Sequence, residues 1–210
     1  MVKLLVIGPD PAATSEFAAT LRAYGVECDE RVLNIPPRVV DSKLSQHPAI
    51  PYILAGALRD AYRDGYSHCV IACNTLHLWL PEALRLVGQR SPVVISTIET
   101  TAERWSGRAI LLCTTPLSKA GLVMRYFDTC YTLGWFTVQR LCQEVIWQAK
   151  RGEYCLVARL VRLLERLAGD RPLIAGCSEL PLALQTVRHS LHIVDPAEEV
   201  ARAIGAKHVL

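Results

Sequence analysis

Short apolar runs alternate along this chain with stretches of helical periodicity, and that alternation limits the possible folds more than any other feature. Val2–Gly8 (VKLLVIG) is an apolar run closed by Gly8-Pro9, which reads as a buried parallel strand. Asp10 then offers an N-cap and Pro11 a first helical residue. Phe17, Leu21 and Tyr24 share a helical face, and Gly25 stops that helix. Further strands are expected at Glu27–Leu33, His68–Cys73, Pro92–Ser96, Arg108–Thr114 and Pro172–Cys177. Helices are expected over Pro51–Asp64, ending at Gly65, and Thr75–Val87, ending at Gly88. Leu156, Leu160, Leu163, Leu164 and Leu167 form an apolar stripe opposed by Arg159, Arg162 and Arg166. In Phe127–Arg140 the pattern is mixed, and only its end reads as a strand. Such alternation implies an α/β fold, with mostly parallel sheets flanked by helices. Ligands of such folds bind beyond the carboxyl ends of the strands.

A length of 210 residues suits one large domain or two small lobes. Hydrophobic residues make up 51% and charged residues 20%, which excludes a disordered chain. The net charge of +3 is spread over both signs. Basic residues between Arg140 and Arg171 are interleaved with Glu144, Glu153, Glu165 and Asp170, a solvated helix face and not a nucleic-acid footprint. The run Leu4–Ile7 is too short for a signal-peptide core, and no apolar stretch reaches membrane-spanning length. Neither a nucleic-acid nor a membrane partner is expected. The eight cysteines lie singly in apolar segments, with no CxxC pair and no zinc-like Cys/His spacing. A reduced, cytoplasmic protein without a metal site is the expectation, with most thiols packed in the core.

Two segments repeat one design. HCVIACNTL (His68–Leu76) and LIAGCSEL (Leu173–Leu180) each run from apolar strand to small residue, cysteine, polar residue and helix. Their cysteines, Cys73 and Cys177, are 104 residues apart, about half the chain. This suggests two pseudo-equivalent lobes, each offering one thiol at the same topological position. A cysteine between a strand and a helix start lies near unpaired backbone N–H groups, which favour the thiolate. Asn74, Thr75 and Ser178 add short polar donors suited to a carboxylate, although the same residues are ordinary helix caps. Two thiols on opposite sides of a bound acid suit inversion of a stereocentre: one removes a proton and the other returns one to the opposite face.

ACNTLH (Ala72–His77) and AGCSELPL (Ala175–Leu182) resemble the two cysteine motifs of the aspartate/glutamate racemase family. IGPDPAATSEF (Ile7–Phe17) is similar to the family's glycine-rich first turn, placing Gly8 at the pocket. ISTIETTAE (Ile95–Glu103), LLCTTPLSKAGL (Leu111–Leu122) and VDPAEEVARA (Val194–Ala203) follow in the family's order. The resemblance implies two pseudo-symmetric lobes with the active site in the cleft between them. Residues 1–95 plus about 190–210 would form the first lobe and 96–189 the second. It also implies a cofactor-independent racemase, commonly a homodimer, in which Cys73 and Cys177 are catalytic. Asn74, Thr75, Ser178 and Thr114 would hold the substrate carboxylate or line its pocket, and Glu179 follows the second motif. His77 and Glu179 each have two readings: His77 could polarise the site or pack, and Glu179 could orient the second thiol or serve the helix dipole.

The chain also departs from the family pattern. The glycine-rich turn is shortened, and a threonine expected near Leu117 is missing. The loop whose arginine can grip a side-chain carboxylate reads Ile50-Pro51-Tyr52-Ile53, leaving Arg38 as the candidate clamp. The substrate would be a small amino acid or diacid, with aspartate or glutamate first. Alternatives are a small-diacid isomerase or decarboxylase of the same superfamily, a two-lobed binding protein, and a thiol redox protein. Decarboxylase relatives typically lack the first cysteine, and a redox protein would more often carry CxxC.

Overall fold

In a computed structural model, which describes residues 3–36, 47–184 and 190–208 (the side chains of 206–208 excepted), the apolar runs become short strands of two parallel sheets. Met1–Thr100 with Ala197–Leu210 form one compact unit and Thr101–Pro196 the other.

The first unit is built from β1 (Leu4–Gly8), α1 (Pro11–Ala23), β2 (Asp29–Val32), α2 (Ile50–Arg63), β3 (His68–Ile71), α3 (Leu80–Val87) and β4 (Val93–Ile95). The strands lie in the order β2-β1-β3-β4, with every pairing parallel. All five residues of β1 are buried because both faces of the sheet are covered. Leu5 and Ile7 face α2 and α3, among Leu54, Leu58, Ala83 and Val87. Leu4 and Val6 point the other way, to Phe17, Ala18 and Leu21 of α1. As expected, Asp10 caps α1: its carboxylate accepts from the Ala13 N–H at 2.9 Å, and Pro11 occupies the first turn.

After α4 (Thr97–Trp105), the second unit comprises β5 (Ile110–Leu112), α5 (Thr115–Ser118), α6 (Gly121–Met124), β6 (Asp128–Thr129), α7 (Phe136–Ala149), α8 (Val157–Leu167), β7 (Leu173–Ala175), α9 (Glu179–Leu184) and β8 (Ile193–Val194). Its strand order, β6-β5-β7-β8, repeats that of the first sheet, again all parallel. On α8 the buried face is Val157, Leu160, Val161 and Leu164, while Leu167 is 44% exposed. The last helix, α10 (Pro196–His208), packs Ala197, Val200, Ala201 and Ile204 against Leu4, Val6 and Phe17 of the first unit. Among the described residues, no helix is long and apolar enough to cross a membrane.

Two local expectations are corrected. The end of Phe127–Arg140 is not a strand but the start of α7. Val138, Leu141, Cys142, Val145 and Ile146 are all buried at helical spacing, and this stripe outweighs the strand propensity of Phe136-Thr137-Val138. The expected single helix over Thr75–Val87 is instead a 3-10 turn, Asn74–Leu78, followed by α3. Pro81 lacks the N–H that a continuous helix would use there, but it fits the first turn of a new one.

Candidate active site

In each sheet the chain passes from its first strand to one neighbour and then back past it to the other. The crevice at such a reversal, beyond the strand carboxyl ends, is where open parallel sheets hold ligands. In the first unit, Gly8 ends β1 and Cys73 lies just past β3. In the second, Thr114 lies just past β5 and Cys177 just past β7.

The two cysteines are equivalent to the hydrogen bond. Ile71 is in register with Ile7, and Ala175 with Leu112. The N–H of the next residue returns to the central strand in both cases: Ala72 to the Ile7 carbonyl at 2.8 Å and Gly176 to the Leu112 carbonyl at 2.7 Å. Each cysteine carbonyl then accepts the N–H three residues on, from Leu76 at 3.0 Å and from Leu180 at 2.9 Å. Gly176 is needed at its place, since a Cβ there would lie 2.5 Å from Leu111 Cδ1 and 3.0 Å from the Leu112 carbonyl oxygen. Gly8 is under a similar constraint, with Thr14 Oγ1 only 2.1 Å from where a Cβ would be. That hydroxyl donates to the Asp10 carbonyl at 2.6 Å, so the first turn of α1 lies directly on the end of β1.

The surroundings of the two thiols differ. Cys73 is buried and precedes the turn Asn74–Leu78, in which Asn74, Thr75 and His77 are buried too. His77 Nδ1 lies 3.2 Å from the Cys73 carbonyl oxygen. A carbonyl only accepts, so Nδ1 carries the proton and Nε2 a lone pair. Nε2 is 3.4 Å from Thr97 Oγ1, and the Thr97 hydroxyl donates to the Asn74 side-chain oxygen. Burial pulls the His77 pKa from 6.5 to about 4, outweighing the carbonyls of Cys73 and Asn74, which favour the charged ring. At neutral pH His77 is therefore an uncharged brace on the backbone of Cys73.

Cys177 instead faces a charge. Its Sγ lies 2.8 Å from Glu179 Oε2, which also accepts from the Ser178 hydroxyl at 3.1 Å. The other oxygen, Oε1, pairs with Lys150 Nζ at 2.9 Å, the two side chains being 11% and 14% exposed. Burial alone would raise the Glu179 carboxyl. The Lys150 charge and the hydrogen bonds from Cys177 and Lys150 overcome this and hold it below the usual carboxylate range. Both Glu179 oxygens are thus engaged by protein groups, which suits a residue that orients the thiol.

Thr114 is fully buried, and its carbonyl accepts from the Ser118 N–H at 2.9 Å. The loop beside it is fastened from α7: Gln139 donates to the Cys113 carbonyl at 2.9 Å, and Gln143 accepts the Thr115 N–H at 2.8 Å. Arg38 lies outside the described residues. Sequence reasoning missed Thr97, Lys150, Gln139 and Gln143. Each reaches the site from an element distant in sequence; Gln139, Gln143 and Lys150 carry no local motif, and Thr97 stands within ISTIETTAE, where nothing marks it out from its neighbours. Of the remaining cysteines, burial pushes Cys69 and Cys130 up to about 12 and Cys113 and Cys142 well above their ordinary value. These behave as core thiols. No group of three or more His, Cys, Asp or Glu able to hold a metal occurs among the described residues.

A family model described as Asp/Glu/Hydantoin racemase matches residues 4–204. Among solved structures, an aspartate racemase homologue from Pyrococcus horikoshii OT3 is similar, with a TM-score of 0.71 at 20% identity and 100% of each chain covered. The aspartate racemase of Picrophilus torridus gives 0.73 at 18% identity, over 98% of this chain and 94% of that one. The glutamate racemase of Thermus thermophilus, solved with β-chloro-D-alanine, gives 0.61 at 21% identity, over 100% and 83%. These likenesses establish the shared fold. No curated protein sequence matches the chain.

Proposed function

Because this chain belongs to the Asp/Glu/hydantoin racemase family, whose members are isomerases, we propose that it racemises a small amino acid with the thiols of Cys73 and Cys177. Aspartate and glutamate are the first candidates. The observation that carries the reading is the equivalence of the two cysteines: the same strand position, the same return hydrogen bond and the same turn closure in two sheets of identical order.

In this mechanism one cysteine enters as thiolate and takes the α-proton, leaving a planar carbanion. The other enters as thiol and delivers its proton to the opposite face. The thiols exchange roles in the reverse direction. Asn74, Thr75, Ser178 and Thr114 hold the α-carboxylate and stabilise the charge that develops on it. Gly8 permits close approach at the end of β1, and Arg38 is the candidate clamp for a side-chain carboxylate. The two carbon-acid steps need only a base and an acid, so neither metal nor organic cofactor is required. The same reading makes the enzyme a cytoplasmic homodimer, and eight free cysteines suit a reduced compartment.

The test is incubation of single enantiomers of a broad amino-acid panel in deuterated water, followed by chiral and mass analysis. The inverted product should carry solvent deuterium at the α-carbon, and substrate recovered early should carry less. Arg38→Ala should weaken diacids selectively. If no amino acid exchanges or inverts, the reading fails, and small-diacid isomerisation and decarboxylation replace it.

A further inference from the structure

The two thiols share a backbone frame but differ in charge environment. Around Cys73 the braces are neutral: His77, Thr97 and Asn74. Around Cys177 lies an ion pair contributed by two elements, Glu179 at the start of α9 and Lys150 at the end of α7. The charges sit in a row, with Lys150 on Oε1, and Cys177 and Ser178 on Oε2.

We propose that Lys150 is a positioning residue of the racemisation: by fixing Glu179 as the anion that receives the Cys177 S–H, it holds Cys177 ready as the proton-donating thiol. This rests on the two-cysteine reading above and adds a residue and a direction to it.

The physical argument has two steps. A carboxyl buried to this degree takes up a proton unless a cation compensates its charge, and Lys150 supplies that compensation. Once Glu179 is anionic, the Cys177 thiol has an acceptor 2.8 Å away, whereas a thiolate there would face a like charge. When the Cys177 proton leaves for the substrate carbanion, Lys150 is the nearby cation that shares the new negative charge. Without Lys150, both acidic groups bind protons more tightly and the thiolate becomes harder to form. Without Glu179, no carboxylate there opposes the thiolate while the Lys150 charge still favours it, and the thiolate becomes easier to form.

Among the described residues, neighbouring groups on α7 and just beyond it are engaged elsewhere. Arg151 and Glu153, just beyond α7, pair with each other at 3.0 Å on the exposed surface. Glu144 of α7 acts on Arg151. Cys155 is directed to the Gln148 side chain at 3.2 Å. Cys130 and Cys142, in the same core as Cys177, are kept protonated by burial.

The test measures the rate at which iodoacetamide alkylates Cys177, followed by peptide mass spectrometry across a pH series, since the thiolate is the reacting form. Lys150→Met should slow alkylation at neutral pH on the order of tenfold and move the profile to higher pH. Glu179→Gln should move it the opposite way by a similar factor. Lys150→Arg should stay near wild type, and Cys73 alkylation should hold steady throughout as an internal reference. If Lys150→Met leaves the Cys177 profile in place, or if both charge-removing variants move it in the same direction, the proposal is overturned. Should Lys150→Met fail to fold, Glu179→Gln decides alone: slower alkylation there overturns it. The readout needs no turnover, so it can fail while racemisation stands; if the racemase reading falls, the coupling it measures can persist, but the role in racemisation falls with that reading.

Discussion

His77 gives the fold an acid-sensitive element whose size can be worked out. In the native protein its ring titrates near 4, and in the unfolded chain near 6.5. Between those values the unfolded state binds the extra proton, so stability rises with pH and is lost as pH falls from about 6.5 toward 4. At pH 7.5 neither state holds the proton and His77 contributes almost no pH dependence. At pH 5 the unfolded ring is almost fully charged while the native ring is mostly neutral, which costs about 2 kcal/mol. Below the native value the loss levels off at about 3 kcal/mol. The perturbation is His77→Asn, whose amide nitrogen takes the place of Nδ1 on the Cys73 carbonyl and does not titrate. This variant gives up the Thr97 contact and some packing, so it should be less stable than wild type at pH 7.5. The difference should then shrink by about 2 kcal/mol on going to pH 5. Urea unfolding followed by circular dichroism at several pH values measures it. Every other titrating group is common to the two proteins, so the change in the gap reports His77 alone. A gap that stays constant or widens as pH falls would refute the buried neutral ring.

Three further outcomes are expected. Cys73→Ala and Cys177→Ala should each abolish racemisation in both directions while leaving the thermal midpoint within a few degrees, and near wild-type turnover in either variant would remove that thiol from the mechanism. Exhaustive chelation should leave turnover unchanged, and loss restored by an added metal would contradict this. Gly8→Ala should destabilise the first unit by about 1–3 kcal/mol, because its Cβ displaces the Thr14 hydroxyl from the Asp10 carbonyl and presses on the first turn of α1; denaturant unfolding tests this, and an unchanged midpoint would show that the turn gives way freely.

Strands covered on both faces were legible because such strands are continuously apolar: Leu4–Ile7, Cys69–Ile71, Ile110–Leu112 and Leu173–Ala175 need no alternation to be recognised. The edge strands β6 and β8 are only two residues long, and Asp128–Thr129 and Ile193–Val194 carry no pattern at that length. They exist because β5 and β7 offer them a ladder. At Phe136-Thr137-Val138, local propensity and longer-range periodicity disagreed, and burial of the Leu141–Ile146 stripe decided for helix. In the candidate site, the cysteines and their polar neighbours were legible because they lie in contiguous motifs. Lys150 was not, since a lysine at a helix end is ordinary and only the fold brings it to Glu179. Thr97 lies in the ISTIETTAE segment, but its contacts with Asn74 and His77 appear only once β4 delivers it there.

The packing of α10 against Leu4, Val6 and Phe17 bears on how the chain acquires its structure during synthesis. The second unit is a single continuous stretch, Thr101–Pro196, and has all of its sheet once that stretch has been made. The first unit closes a loop from β1 to Ala197–Ile204, so its core is complete only after the whole second unit has been made. Its opening strands therefore wait, with one apolar face covered by α1 but not yet by α10, while the second unit assembles. During translation the first unit is the part in need of protection, and truncation ahead of Pro196 would leave the α10 side of that face permanently uncovered.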